Sequence, residues 1–284
     1  MMKANMPLLC ALGALVSVAV PVLSQTAQPP TQAAAQQRPA PEPARLPDGK
    51  PNWTGFWDLP NGFLETYRGP AGVSGPNRAG GGRGQNVPQT QRPANIPEMK
   101  SPYKERYEAL LKQAAAGTLS DPGALCLPQG MPGMMGAIYG LEILQTPKII
   151  AISSEFKSGT RRIWMDEKTH PAADELDETF VGHSIGRWEG DVLVVDTVGI
   201  RADVAFGGRP PLPHSSKMRL TERFRQTSPG MLAYEITYDD PEAYVASWTD
   251  KRTYRYRADL KLQEFVCEEN NRNVDPTSGV TRFK

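Results

Sequence analysis

Histidine occurs three times in this chain, in Thr169-His170-Pro171, Gly182-His183-Ser184 and Pro213-His214-Ser215. It is the only side chain whose ordinary pKa puts a charge change near neutral pH, and its neutral ring is the commonest metal ligand. His183, Ile185 and Arg187 share one face of a predicted strand. Beyond the Glu189-Gly190-Asp191 turn, Asp196 aligns near the start of that strand. A carboxylate held against His183 would fix its tautomer and raise its basicity, as a general base requires. In this scheme His183 is the base and Asp196 positions it. Arg187 or Arg252 holds an anionic group, and His214 or Tyr254 serves as the acid. The scheme needs no cofactor. A zinc alternative has His170, His183 and His214 around one metal, if their loops fold over the same barrel mouth. No His-x-His or His-x-x-x-His spacing accompanies it. Ser184 and Ser215 each follow a histidine, but neighbours in sequence do not make a nucleophile and its base. The chain contains no Gly-x-Ser-x-Gly elbow and no glycine-rich phosphate cradle between a strand and a helix.

The elements that must position these residues are strands. From Leu125 onward the apolar period is two, with predicted strands at 138–146, 148–156, 161–166, 180–188, 192–198, 218–225, 231–238, 248–257 and 262–267. An earlier strand covers Trp53-Thr54-Gly55-Phe56-Trp57, with Gly55 where the strand enters a small barrel. Tight turns such as Ser228-Pro229-Gly230 join neighbours, which predicts an antiparallel meander. A meander of nine or ten strands closes on itself or splits into a sandwich to avoid exposed edges, and the expected fold is a closed all-β barrel. The Trp53-Thr54-Gly55-Phe56-Trp57 strand followed by a meander resembles lipocalin-type barrels in architecture. Alternation places Met218, Leu220, Glu222 and Phe224 on an inner face, followed by Leu232, Tyr234, Ile236 and Tyr238, then Trp248, Asp250, Arg252, Tyr254 and Tyr256. This predicts an aromatic interior with a few charges, in which Arg187, Glu222, Tyr234, Tyr238, Trp248 and Arg252 bind a small molecule. The competing reading is a filled core in which Glu222 and Arg252 form a structural ion pair.

Lys3 followed by the apolar run Met6 to Leu23 reads as an export signal over residues 1–24, with Val22-Leu23-Ser24 as the cleavage site. The sequence predicts a periplasmic or secreted protein with no membrane insertion after cleavage. In an oxidising compartment the two remaining cysteines, Cys126 and Cys267, are expected to pair. The long ring closed would constrain the unfolded chain by roughly 5 kcal/mol in the chain-entropy picture. Residues 25–45 form an Ala/Gln/Pro-rich disordered linker, and a single barrel-like domain follows over 46–284, with a flexible glycine-rich insert at 69–100. One packing helix is predicted over 102–116, capped by Ser101, with Tyr103, Tyr107, Leu110, Leu111 and Ala114 on one face. Lys and Arg number 32 against 31 Asp and Glu, a balance that offers no basic excess for nucleic acid.

The run Gly182-His183-Ser184-Ile185-Gly186-Arg187-Trp188-Glu189-Gly190-Asp191 with Leu193-Val194-Val195-Asp196-Thr197 resembles the core motif of a family of exported bacterial proteins of unassigned function. The resemblance extends to Cys126-Leu127-Pro128, Glu142 to Pro147, Pro213-His214-Ser215, Glu222-Arg223-Phe224, Asp240-Pro241, Trp248-Thr249 and Cys267 to Asn270. It covers most of the chain after Ala124 and implies no particular activity. The expected function is a cofactor-independent acid/base enzyme, a lyase, isomerase or hydrolase, acting on a small aromatic or hydrophobic compound. A non-catalytic carrier using the same pocket is the alternative. A protein-binding role would instead predict an exposed apolar patch.

Overall fold

The computed structural model describes residues 45–60, 96–120, 125–136, 140–208, 210–267 and 277. The predicted signal at 1–24, the linker up to residue 44 and the stretch 69–95 of the insert lie outside the described residues.

Nine strands close into a barrel: β1 (Gly55–Asp58), β2 (Leu141–Gln145), β3 (Ile149–Ser154), β4 (Thr160–Trp164), β5 (His183–Glu189), β6 (Val192–Val198), β7 (Arg219–Ser228), β8 (Met231–Asp239) and β9 (Trp248–Tyr256). The predicted alternation is visible throughout β8, where every second residue from Leu232 to Tyr238 is buried. Gly190 and Gly230, both at positive φ, turn the β5–β6 and β7–β8 hairpins at the predicted places. Gly55 has φ 135°, and a Cβ there would lie 2.5 Å from the Tyr256 ring, so no larger residue fits where β1 meets β9.

The expected meander is corrected at one joint. β4 and β5 pair in parallel, through Ile163 with Ser184 and Trp164 with Ile185. A parallel pair cannot be joined by a tight turn, so residues 165–182 return along the barrel before β5 begins. Residues 262–267 are also corrected, since no strand forms there.

A helix, α1 (Tyr103–Ala115), precedes β2 and ends at Gly117, whose φ is 70°. Ser101 does not cap it, because Pro102 occupies the cap position and no side chain bonds the first turn. Of the predicted packing face only Tyr103 and Tyr107 touch the core, while Leu111 is 44% exposed. The last residues of the predicted flexible insert are ordered against the barrel. Ile96 and Met99 join the core, and Met99 bridges to Tyr244. Cys126 and Cys267 form a disulfide with Cα atoms 5.6 Å apart, linking the segment before β2 to the chain beyond β9. Among the described residues no helix is long and apolar enough to cross a membrane.

A fully buried ion pair occupies the barrel centre. Arg161 of β4 donates from both terminal nitrogens to Glu222 of β7 at 2.8 Å, and also to Ser184 at 2.9 Å and Thr197 at 3.2 Å. Tyr234 donates to Glu222 at 2.9 Å. Burial alone would lower the Arg161 pKa, but the Glu222 charge outweighs it and the net direction is upward. The expected partner Arg252 is thus replaced by Arg161. The inner face of β5 carries only Ser184 and Gly186 at this level, which leaves room for a long side chain from the adjacent strand.

Candidate functional site

At the rim where β8 ends and β9 begins, a cavity of about 480 Å³ opens among Gln129, Gly136, Phe206, Tyr238, Trp248, Asp250 and Arg252. Its aromatic wall is a run of near-parallel rings. Phe206 stacks on Tyr238 at 5.7 Å and 14°, and Tyr238 on Trp248 at 4.7 Å and 8°. Such stacking presents flat apolar carbon while leaving the tyrosine hydroxyl free for polar contact. That hydroxyl interacts with both Asp250 and Arg252, and burial is the main force raising its pKa. Four glycines, Gly133, Gly136, Gly207 and Gly208, line the rest and keep the wall thin. A Cβ on Gly136 would come within 3.1 Å of the Arg252 guanidinium.

Tyr238, Trp248 and Arg252 therefore meet in one cavity, as the alternation predicts. Glu222 and Tyr234 do not join them, because both are sealed in the central ion-pair network. Tyr254 is buried and donates to the Met135 carbonyl, and burial first of all raises its pKa, which opposes a role as proton donor. His214 stands behind Phe206, with its nitrogens 2.9 Å from the carbonyls of Ser215 and Val204. Gln129 and Phe206 escaped the sequence reading because they sit in irregular loops without a period. The Gly207-Gly208 pair beside Phe206 was the available signal that backbone there makes room for something.

The predicted catalytic pair lies elsewhere. In β5 the buried positions are Ser184 and Gly186, so His183, Ile185 and Arg187 face outward. The expected place of His183 on the pocket face is corrected accordingly. Asp196 is also on the outer face, and its partners are Arg219, which donates to it from two nitrogens, and His170, 3.4 Å away. Arg187 is exposed and pairs with Glu189 at 2.8 Å, beside a second cavity of about 370 Å³ at the opposite rim. The returning 165–182 segment covers this face and is fastened by its own side chains. His170 Nδ1 lies 2.9 Å from His183 Nδ1, and His183 Nε2 lies 3.1 Å from Glu167. A contact between two ring nitrogens needs one N–H and one lone pair. The two rings therefore cannot both be fully protonated while this contact is kept. His214 does not take part, so the three histidines do not form one set. Among the described residues, no group of three or more His, Cys, Asp or Glu is placed to hold a metal ion.

This clasp has a pH sign. Burial, helped by the charges of His183 and Arg219, lowers the His170 pKa below 6.5, and Asp196 pulls upward without prevailing. The unfolded chain therefore binds a proton near pH 6.5 that the folded protein refuses, and stability falls as pH drops through that value. The melting temperature is expected to be lower at pH 5 than at pH 7, with a shallower decline in His170→Asn. An unchanged slope in that variant would remove His170 as the cause. Asp196 is held below its ordinary value: burial opposes this and Arg219 overcomes it, so its contribution is lost only in stronger acid.

No family model and no curated relative matches this chain. The functional reading therefore rests on the barrel, its disulfide and the rim cavity.

Proposed function

We propose that this protein is a carrier that binds a small aromatic or hydrophobic compound in the rim cavity and releases it unchanged. The observation that carries the reading is the stacked wall of Phe206, Tyr238 and Trp248 facing a cavity of about 480 Å³, a size suited to a small ligand. Small closed barrels use their mouths in this way, although the architecture alone assigns no function. The acid/base alternative needs a base that faces the compound. His183 and Asp196 face away from the interior, so catalysis in this cavity would fall to Asp250 and Tyr238. The N-terminal apolar run and the Cys126–Cys267 disulfide support an exported protein working in an oxidising compartment.

Titration of the purified protein with a panel of one- and two-ring aromatic compounds, followed by tryptophan fluorescence, tests the reading. Saturable binding is expected, weakened by at least about tenfold in Trp248→Ala, because truncating a buried aromatic anchor commonly costs more than 1.4 kcal/mol. Recovery of the compound chemically intact supports the carrier, and conversion of it supports the enzyme. A panel in which nothing binds saturably would reject both.

A further inference from the structure

The rim cavity contains two unmet hydrogen-bonding groups of opposite kind. Arg252 is half-buried, and Asp250, which lines the same cavity, acts on it electrostatically. Arg252 Nη1 is buried without a hydrogen-bond partner. A guanidinium cannot shed its proton to escape this, so the charge persists in the cavity wall. A buried donor without a partner is costly, and the cost is relieved if the occupant accepts a hydrogen bond from it, most strongly if the acceptor is an anion. The planar fork of arginine matches a carboxylate by two parallel hydrogen bonds. Gln129, on the same cavity, has a buried Oε1 that also lacks a partner. An amide oxygen is an acceptor, so what it lacks is an N–H or O–H.

We propose that the cavity's ligand is a planar aromatic carboxylate that also carries a hydroxyl or N–H, with the carboxylate set against Arg252 and the donor against Gln129. The proposal rests on the binding role proposed above. The ring body would lie along Phe206, Tyr238 and Trp248, where aromatic contacts are favourable in offset or edge-on arrangement. Gly136 makes the approach to Arg252 possible, since any side chain there would press on the guanidinium.

Four naphthalene compounds separate the parts of this proposal: 6-hydroxy-2-naphthoate, its methyl ester, 2-naphthoate and 2-naphthol. The hydroxynaphthoate is expected to bind tightest, losing tenfold or more on esterification and several-fold on removal of the hydroxyl. Arg252→Gln should bring acid and ester to the same affinity. Gln129→Leu should erase the advantage of the hydroxyl while preserving that of the acid. Equal binding of acid and ester by the unaltered protein would overturn the inference and leave the carrier standing. So would an acid preference that survives in Arg252→Gln. Failure of all four compounds to bind would also overturn the inference, and only failure of the wider aromatic panel as well would remove the carrier role.

Discussion

Arg161→Met is expected to destabilise the barrel by about 3–5 kcal/mol, and Arg161→Met combined with Glu222→Leu by distinctly less. Both side chains of the pair are 0% exposed, so removing one partner leaves the other charge buried without compensation. The single variant also strips Ser184 and Thr197 of a donor, and leaves Glu222 with only the hydroxyls of Tyr234 and, at 3.5 Å, Thr197 as hydrogen-bond donors among the described residues. Replacing both members substitutes apolar volume for the whole charge pair, which in other proteins is often close to neutral. Denaturant or thermal melts of the two variants measure this directly. At roughly 2–4 °C per kcal/mol for a chain of this size, the difference should be large. A double variant as unstable as the single would mean that shape, rather than uncompensated charge, sets the cost.

Loss of the disulfide should have the second large effect. Cys126 and Cys267 are 141 positions apart and enclose all strands from β2 to β9. Closing so long a loop restricts the unfolded chain strongly, and removing a native disulfide typically costs about 2–5 kcal/mol. Cys126→Ser with Cys267→Ser should melt lower than the unaltered protein and be indifferent to reductant, whereas the unaltered protein should lose a similar amount on reduction. A melt insensitive to reductant in both would show that the rest of the barrel holds these segments without help.

Much of this barrel could be read directly from alternation. The inner face of β8 is legible residue by residue, and those of β7 and β9 are legible from Leu220 and Phe224 and from Trp248 and Tyr254, which carry the charged Glu222, Asp250 and Arg252 with them at alternate positions. The same rule misplaced His183. In β5 the apolar Ile185 faces outward, while the inner positions are the small Ser184 and Gly186, filled from outside the strand by Arg161 and by Met165, whose sulfur would lie 2.6 Å from a Cβ on Gly186. Alternation ranks faces by the size of a strand's own side chains and is blind to what a neighbour inserts. It also carries no information about direction, so the parallel joint between β4 and β5 was hidden. Arg161 was nonetheless within reach, since it shares a face with Ile163 and Glu222 required a partner. The cavity was half legible, as its β8 and β9 walls are periodic while Gln129 and Phe206 belong to loops and Gly136 to a single 3-10 turn.

The nine-strand closure has a consequence of parity. Around any ring in which every neighbour runs antiparallel, directions alternate, so the number of strands must be even. A ring of nine must contain a parallel pair, and here it is β4 with β5. The segment that returns between them, with His170 on it, is therefore a topological obligation and not an ornament on a meander. It could be shortened to a turn only if the barrel gained or lost a strand or moved its parallel joint to another pair.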